Sequence, residues 1–261
     1  MKRASGIVTN HGRLACHAAM YARRYNLPAI VGTQQATMTL KTGDQITLDC
    51  SEGEIGQVLK GFHTYSIESV EIPDGMKLNT KIMINLGDPE RAFAVSSLPC
   101  DGIGLCRLEY SITERLKVHP MALIHPEYIA DEATKMRVQE LIPKDISGKE
   151  FFVQTLVESV GTIAAAFYPR PVKVCLSDFK SNEYSSLLGG KQFEPDEENP
   201  MLGFRGASRY THPYYNEVFE LECRVIKSIV EDLGLNNILI TIPFCRSMDE
   251  AAKVIHTISC H

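Results

Sequence analysis

The sequence predicts an α/β protein in two unequal parts. Short strand-like runs surround one helix up to about residue 61, a polar stretch follows, and from residue 81 onward apolar strand runs alternate with helical segments. That alternation is the pattern of parallel strands joined by crossover helices. Period alone leaves a closed barrel and an open doubly wound sheet as alternatives for the second part.

In the first part, Gly6-Ile7-Val8-Thr9 reads as a strand, and Asn10-His11-Gly12 breaks it. Ala18 to Tyr25 then supplies good helix formers, which puts His17 in the first turn of a helix. Ala29-Ile30-Val31 and the alternating Gln45-Ile46-Thr47-Leu48-Asp49 are further strands, with turns at Gly53 and Gly56. Residues 63–79, with Pro73-Asp74-Gly75 inside, read as a linker. In the second part, strands are expected at Lys81–Leu86, Gly102–Arg107, Val172–Leu176 and Ile238–Ile242. A helix starts in the Pro89 to Ser96 segment, and another covers Glu217 to Asp232.

Composition excludes several classes. With 261 residues and 44% hydrophobic content, the chain can bury a sizeable core. A net charge of -5, with 27 basic residues spread among 32 acidic ones, argues against a nucleic-acid surface. No run of about 18 apolar residues predicts a membrane span. Eight scattered cysteines without a CxxC pair fit reduced thiols, so the expected location is cytoplasmic. No HExxH or paired-ligand spacing predicts a metal site, and no Walker motif predicts ATP binding.

Chemistry concentrates in a few residues. Unpaired amides and the positive end of a helix favour an anion beside His17, and the same field disfavours imidazolium and keeps the ring a neutral nucleophile. The plain alternative is a histidine that only caps or packs. Arg107 closes a predicted strand, and Arg205 lies in a loop between Gly203 and Gly206. An arginine fork holds a carboxylate or phosphate bidentately, whereas the alternative for each is an ion pair, Arg107 with Glu109 and Arg205 with Glu197 or Glu198.

Several of these runs carry a resemblance. Ala4-Ser5-Gly6-Ile7-Val8-Thr9-Asn10, Cys16-His17-Ala18-Ala19 and Leu27-Pro28-Ala29-Ile30-Val31-Gly32 resemble the swivelling phosphohistidine domain of the phosphoenolpyruvate synthase (pyruvate, water dikinase) family of PEP-utilizing enzymes. Gly102 to Tyr110, Leu176 to Tyr184 and Glu198 to Gly206 resemble successive motifs of that family's pyruvate-binding barrel. The resemblance implies part of a phosphohistidine domain at 1–62, a linker at 63–79, and the first half of a (β/α)₈ TIM-type barrel at 80–261. It also implies that His17 accepts phosphate from ATP, and that Arg107 and Arg205 contact pyruvate or phosphoenolpyruvate and the phosphoryl group. The family reaction converts pyruvate, ATP and water into phosphoenolpyruvate, AMP and phosphate.

Departures carry expectations too. The resemblance puts Gly12-Arg13 where the family has a glycine pair, Leu14 where it has a basic residue, and Ala15 where it has a threonine. Cys175 stands where it has a phosphoryl-holding arginine, and a packed strand thiol is the expected reading. The ATP-binding domain would precede Met1, and the carboxylates that bind Mg²⁺ and a proton-donating cysteine would follow His261. Four strands of a barrel should leave an open edge and uncovered apolar faces, making the chain marginal, oligomeric or aggregation-prone, a homo-oligomer among the options, unless another chain completes it. The chain alone is therefore expected not to finish the cycle. Two further readings are a phosphoryl-relay module acting on a partner, and an inactive remnant pairing with a full-length synthase.

Overall fold

The computed structural model describes residues 3–14, 16–51, 53, 55–68 and 78–260. Pro73-Asp74-Gly75 and Ala15 lie outside the described residues. The chain divides into two compact units, Met1–Met76 and Lys77–His261.

In the first unit, β1 (Ile7–Val8) pairs in parallel with β2 (Ala29–Ile30), with Ile7 opposite Ala29. A parallel pair needs a crossover, and α1 (His17–Arg24) supplies it, burying Ala19 and Ala22. The turn into α1 requires glycine. Gly12 sits at φ +126°, where a Cβ would come within 2.8 Å of the Cys16 sulfur, and Gly32 at φ +78°, where one would meet the Gly12 carbonyl at 2.9 Å. The short α2 (Ala36–Thr39) is tied to the loop after β1 by Asn10, whose Nδ2 donates to the Thr37 hydroxyl at 2.7 Å while its Oδ1 accepts from the Thr37 amide at 3.0 Å. β3 (Ile46–Asp49) then pairs antiparallel with β4 (Gln57–Lys60).

The second unit is built on a four-stranded, all-parallel sheet in the order β5 (Ile84–Asn85), β6 (Ile103–Arg107), β7 (Val172–Cys175), β8 (Ile238–Thr241). Each expected strand run of this part contains one of these strands. A proline-initiated turn and α3 (Ala92–Ser96) link β5 to β6. Between β6 and β7 lie α4 (Leu108–Ser111), α5 (Pro120–Ile124), α6 (Glu132–Leu141) and α7 (Gly148–Phe167). Between β7 and β8 lie α8 (Ser181–Ser186), α9 (Ala207–Tyr210) and α10 (Asn216–Lys227), and α11 (Met248–Cys260) follows β8.

The core forms where helix faces meet the sheet. Ile103, Val172 and Val174 are fully buried, as expected for strands covered on both faces. The helix α7 starts at Ser147, whose hydroxyl accepts from the Glu150 amide at 3.2 Å. Its residues Phe152, Leu156, Val160, Ile163 and Phe167 recur at helical spacing and are all buried. By length and composition this 20-residue helix is apolar enough to cross a bilayer. Its burial in the unit's core accounts for that composition. The sheet ends at β8, whose Leu239 and Ile240 are 51% and 37% exposed.

Candidate functional site

The strands of the second unit deliver side chains to one end of the sheet. A cavity of about 330 Å³ is lined there by Arg107, Glu109, Cys175, Asp178, Lys180 and Arg205, among others. Arg107 is the last residue of β6, and Cys175, its partner across the ladder, is the last of β7. The structure thus brings Arg107 and Arg205 together although 98 positions separate them in the chain. The loop that carries Arg205 is pinned by Gly206 at φ +60°, where a Cβ would lie 2.5 Å from the Pro243 carbonyl oxygen.

Arg205 is held from one side. Its Nε and Nη2 donate to the two carboxylate oxygens of Asp178 at 2.9 and 2.7 Å, and its guanidinium lies 4.5 Å above the Phe244 ring. Asp178 raises the guanidinium's affinity for its proton still further. Among the described residues Nη1 hydrogen-bonds only to the Met201 sulfur, at 3.8 Å, so it keeps donor capacity for an anion. The ion-pair partner expected from sequence is corrected here. Arg205 pairs with Asp178, not with Glu197 or Glu198, because the Glu197 carboxylate is engaged by the Ser181 hydroxyl and by the Phe204 amide at 2.9 Å.

Arg107 is exposed and makes no ion pair within 4.0 Å among the described residues, so its fork stays open. Glu109 accepts from the Asp178 amide at 2.8 Å through Oε1, whereas its buried Oε2 has no hydrogen-bond partner among the described residues. Burial pushes the Glu109 carboxyl up, the nearby Asp178 charge adds to that, and Arg107 opposes it. Burial also pushes the Cys175 thiol up to about 12, which makes it a packed thiol and not a nucleophile.

Beneath this cavity lies a buried polar network that sequence reasoning missed. Ser177 donates from its hydroxyl and, at 3.2 Å, from its amide to the two carboxylate oxygens of Glu222 on α10. The Ser177 hydroxyl accepts from Tyr184 at 3.1 Å, and its carbonyl accepts from Tyr210 at 2.7 Å. Farther along, Arg209 pairs bidentately with Glu194 at 2.6 and 2.7 Å, and Glu194 also accepts from His119 Nε2 at 3.0 Å. His119 Nδ1 accepts from the Met121 amide, so Nε2 carries the proton and burial keeps the ring neutral. A signal existed for Glu222: it sits at helical spacing from Val218, Phe219, Val225 and Ile226, on the apolar stripe of α10.

In the first unit His17 is the first residue of α1, and its side chain is exposed. Cys16 caps the helix in an extended conformation without a side-chain bond, and no acidic residue occupies the first turn. The Met20 amide donates to the Cys16 carbonyl at 3.0 Å, while the amides of His17, Ala18 and Ala19 have no acceptor among the described residues, which suits an anion. A cavity of about 860 Å³ in the same unit has Arg13 and Arg23 in its wall, over a floor that includes Ala19, Ala22 and Ile30. His17 is not among its lining residues.

No group of three or more His, Cys, Asp or Glu side chains is arranged to hold a metal ion among the described residues. Residues 68–260 match the family model of the PEP-utilising enzyme, PEP-binding domain, and residues 1–53 match that of the PEP-utilising enzyme, mobile domain. The chain belongs to the PEP-utilising enzymes. Among relatives of this PEP-utilising chain, it is 48% identical to the phosphoenolpyruvate synthase of Synechocystis sp., over 100% of this chain and 32% of the relative. It is 47% identical to that of Helicobacter pylori (98% and 31%) and 44% identical to that of Escherichia coli (99% and 33%). The chain spans about a third of the length of the curated relatives it matches. Over almost all of its own length it is similar to a segment of phosphoenolpyruvate synthases.

Proposed function

We propose that this chain supplies the phosphohistidine carrier and the pyruvate-holding arginines of a phosphoenolpyruvate synthase. A ring nitrogen of His17 takes a phosphoryl group that originates in ATP, bound by a domain outside this chain: an N–P bond forms as a P–O bond of ATP breaks, and AMP and, with water, phosphate leave. A base takes a methyl proton from pyruvate, the enolate oxygen so formed attacks the phosphorus, the N–P bond breaks to return the neutral imidazole, and phosphoenolpyruvate leaves. Arg107 and the free Nη1 of Arg205 hold the carboxylate and the moving phosphoryl group. The convergence of these two arginines on one cavity at the C-terminal ends of β6 and β7 carries the reading.

Residues 63–79 act as the tether that lets one histidine visit two sites. The strand order, in which each new strand adds beside the last without reversal, supports the first half of a (β/α)₈ barrel over a doubly wound sheet. The exposed apolar β8 supports an edge that another segment or another copy covers. Eight free thiols support a reducing, cytoplasmic setting. Calorimetric titration of the full chain with phosphoenolpyruvate tests the reading. Arg107→Ala and Arg205→Ala should each weaken binding by about tenfold or more, since each removes a charge-assisted contact. Affinity unchanged in both variants would overturn it.

A further inference from the structure

We infer that Glu222 is a positioning residue for the anion site: its carboxylate fixes Ser177, and Ser177 fixes the Asp178 side chain that orients Arg205. The inference rests on the reading of Arg205 as an anion contact.

The contacts form one chain. Glu222 is fully buried, and Ser177 directs two donors at its two oxygens. Ser177 has no polar freedom left, because its carbonyl is held by Tyr210 and its hydroxyl also receives Tyr184. The next residue, Asp178, is fixed at its amide by Glu109 and spends both carboxylate oxygens on Arg205. Arg205 and Asp178 are only 11% and 19% exposed, so solvent does little to set their orientation. A carboxyl buried merely to fill volume would be replaced at lower cost by an apolar side chain. What Glu222 offers that leucine cannot is a pair of acceptors spaced for the amide and hydroxyl of a single residue. A bidentate guanidinium contact tolerates displacements of only about 0.5 Å, so the backbone at Ser177 must be set this firmly.

The test uses the full chain, with phosphoenolpyruvate as the probe in calorimetry and the Arg205 Nε–H resonance as the spectroscopic readout. Glu222→Gln keeps an acceptor for the Ser177 amide and presents its own amide to the Ser177 oxygen. It should bind within about threefold of the parent chain, whereas Glu222→Leu should lose about tenfold or more and shift the Arg205 resonance toward that of an unpaired guanidinium. Should Glu222→Leu fail to fold, Tyr210→Phe decides. It leaves the ring stacked on Phe219, removes only the bond to the Ser177 carbonyl, and should weaken binding several-fold with the same spectral shift. Parent-like affinity and an unmoved Arg205 resonance in the Leu variant, or in Tyr210→Phe where that variant replaces it, would overturn the inference. Arg205→Ala separates the two claims: parent-like binding in that variant sinks the anion-site reading, while the resonance still decides the positioning role.

Discussion

Replacing Glu222 by glutamine should flatten the pH dependence of stability in the second unit. Burial is the dominant cost on this carboxyl and pushes it up from 4.5 to about 7, with the Ser177 donors opposing. The folded chain then holds this proton more tightly than the unfolded chain does. Stability from this group is therefore greatest at or below pH 4.5, falls as pH rises, and reaches its full penalty above about pH 7. A displacement of that size corresponds to roughly 3 kcal/mol. Glutamine carries no such proton, so the stability of the parent chain relative to the variant should drop by roughly 3 kcal/mol between pH 4.5 and pH 8. Urea denaturation followed by the fluorescence of the buried tyrosines at both pH values measures it, and taking the difference removes groups common to the two proteins. At slopes of about 1–3 kcal/mol per molar urea, the gap between midpoints should move by about 1 M or more. Parallel pH profiles, within about 0.5 kcal/mol, would refute the assignment of a strained buried carboxyl.

Three further outcomes follow from the same geometry. Glu194→Ala strands the fully buried Arg209 guanidinium and should cost about 3–5 kcal/mol by denaturant titration, whereas a loss below about 1 kcal/mol would mean that the pair is not buried in solution. Mass spectrometry after brief alkylation of the native chain should find Cys50, Cys245 and Cys260 modified and Cys106, Cys175 and Cys223 protected, the last three combining burial with thiols pushed up to about 12. Rapid modification of Cys175 would contradict its packed state. Cys175→Arg adds a third arginine fork to the 330 Å³ cavity, beside Arg107, and should tighten phosphoenolpyruvate binding by about tenfold, while no change would argue that this cavity is not where the anion sits.

The strands of the second unit were legible because Val172–Cys175 and Ile238–Thr241 are rich in β-branched residues and bounded by breaks. The helix at His17 was legible from its glycine turn and the alanines that follow. The longest helix, α7, was less so. Phe151, Val153, Val157 and Ala164 widen its apolar face beyond the Phe152–Phe167 stripe, which weakens the contrast with its polar residues that marks a surface helix. β4, Gln57–Lys60, carries only two apolar residues between polar ends and becomes a strand through pairing with β3. At the site, Arg107 was legible as a strand-closing arginine and Arg205 from its glycine-flanked loop. The Asp178 partner was not, because 27 positions separate it from Arg205 and only the fold brings them together. Glu222, Arg209 and His119 escaped for another reason: charged and polar side chains are ordinarily read as exposed, and these three are buried against polar partners, Arg209 and His119 on Glu194 and Glu222 on Ser177.

The carrier role of His17 is tested most directly by incubating the chain and an added ATP-binding domain of a phosphoenolpyruvate synthase with phosphorus-labelled ATP and locating the label. The account predicts acid-labile, base-stable label on His17, absent from His17→Ala and retained in Arg205→Ala. Label of the same kind persisting in His17→Ala, or a parent chain left unlabelled beside that domain and ATP, would contradict it.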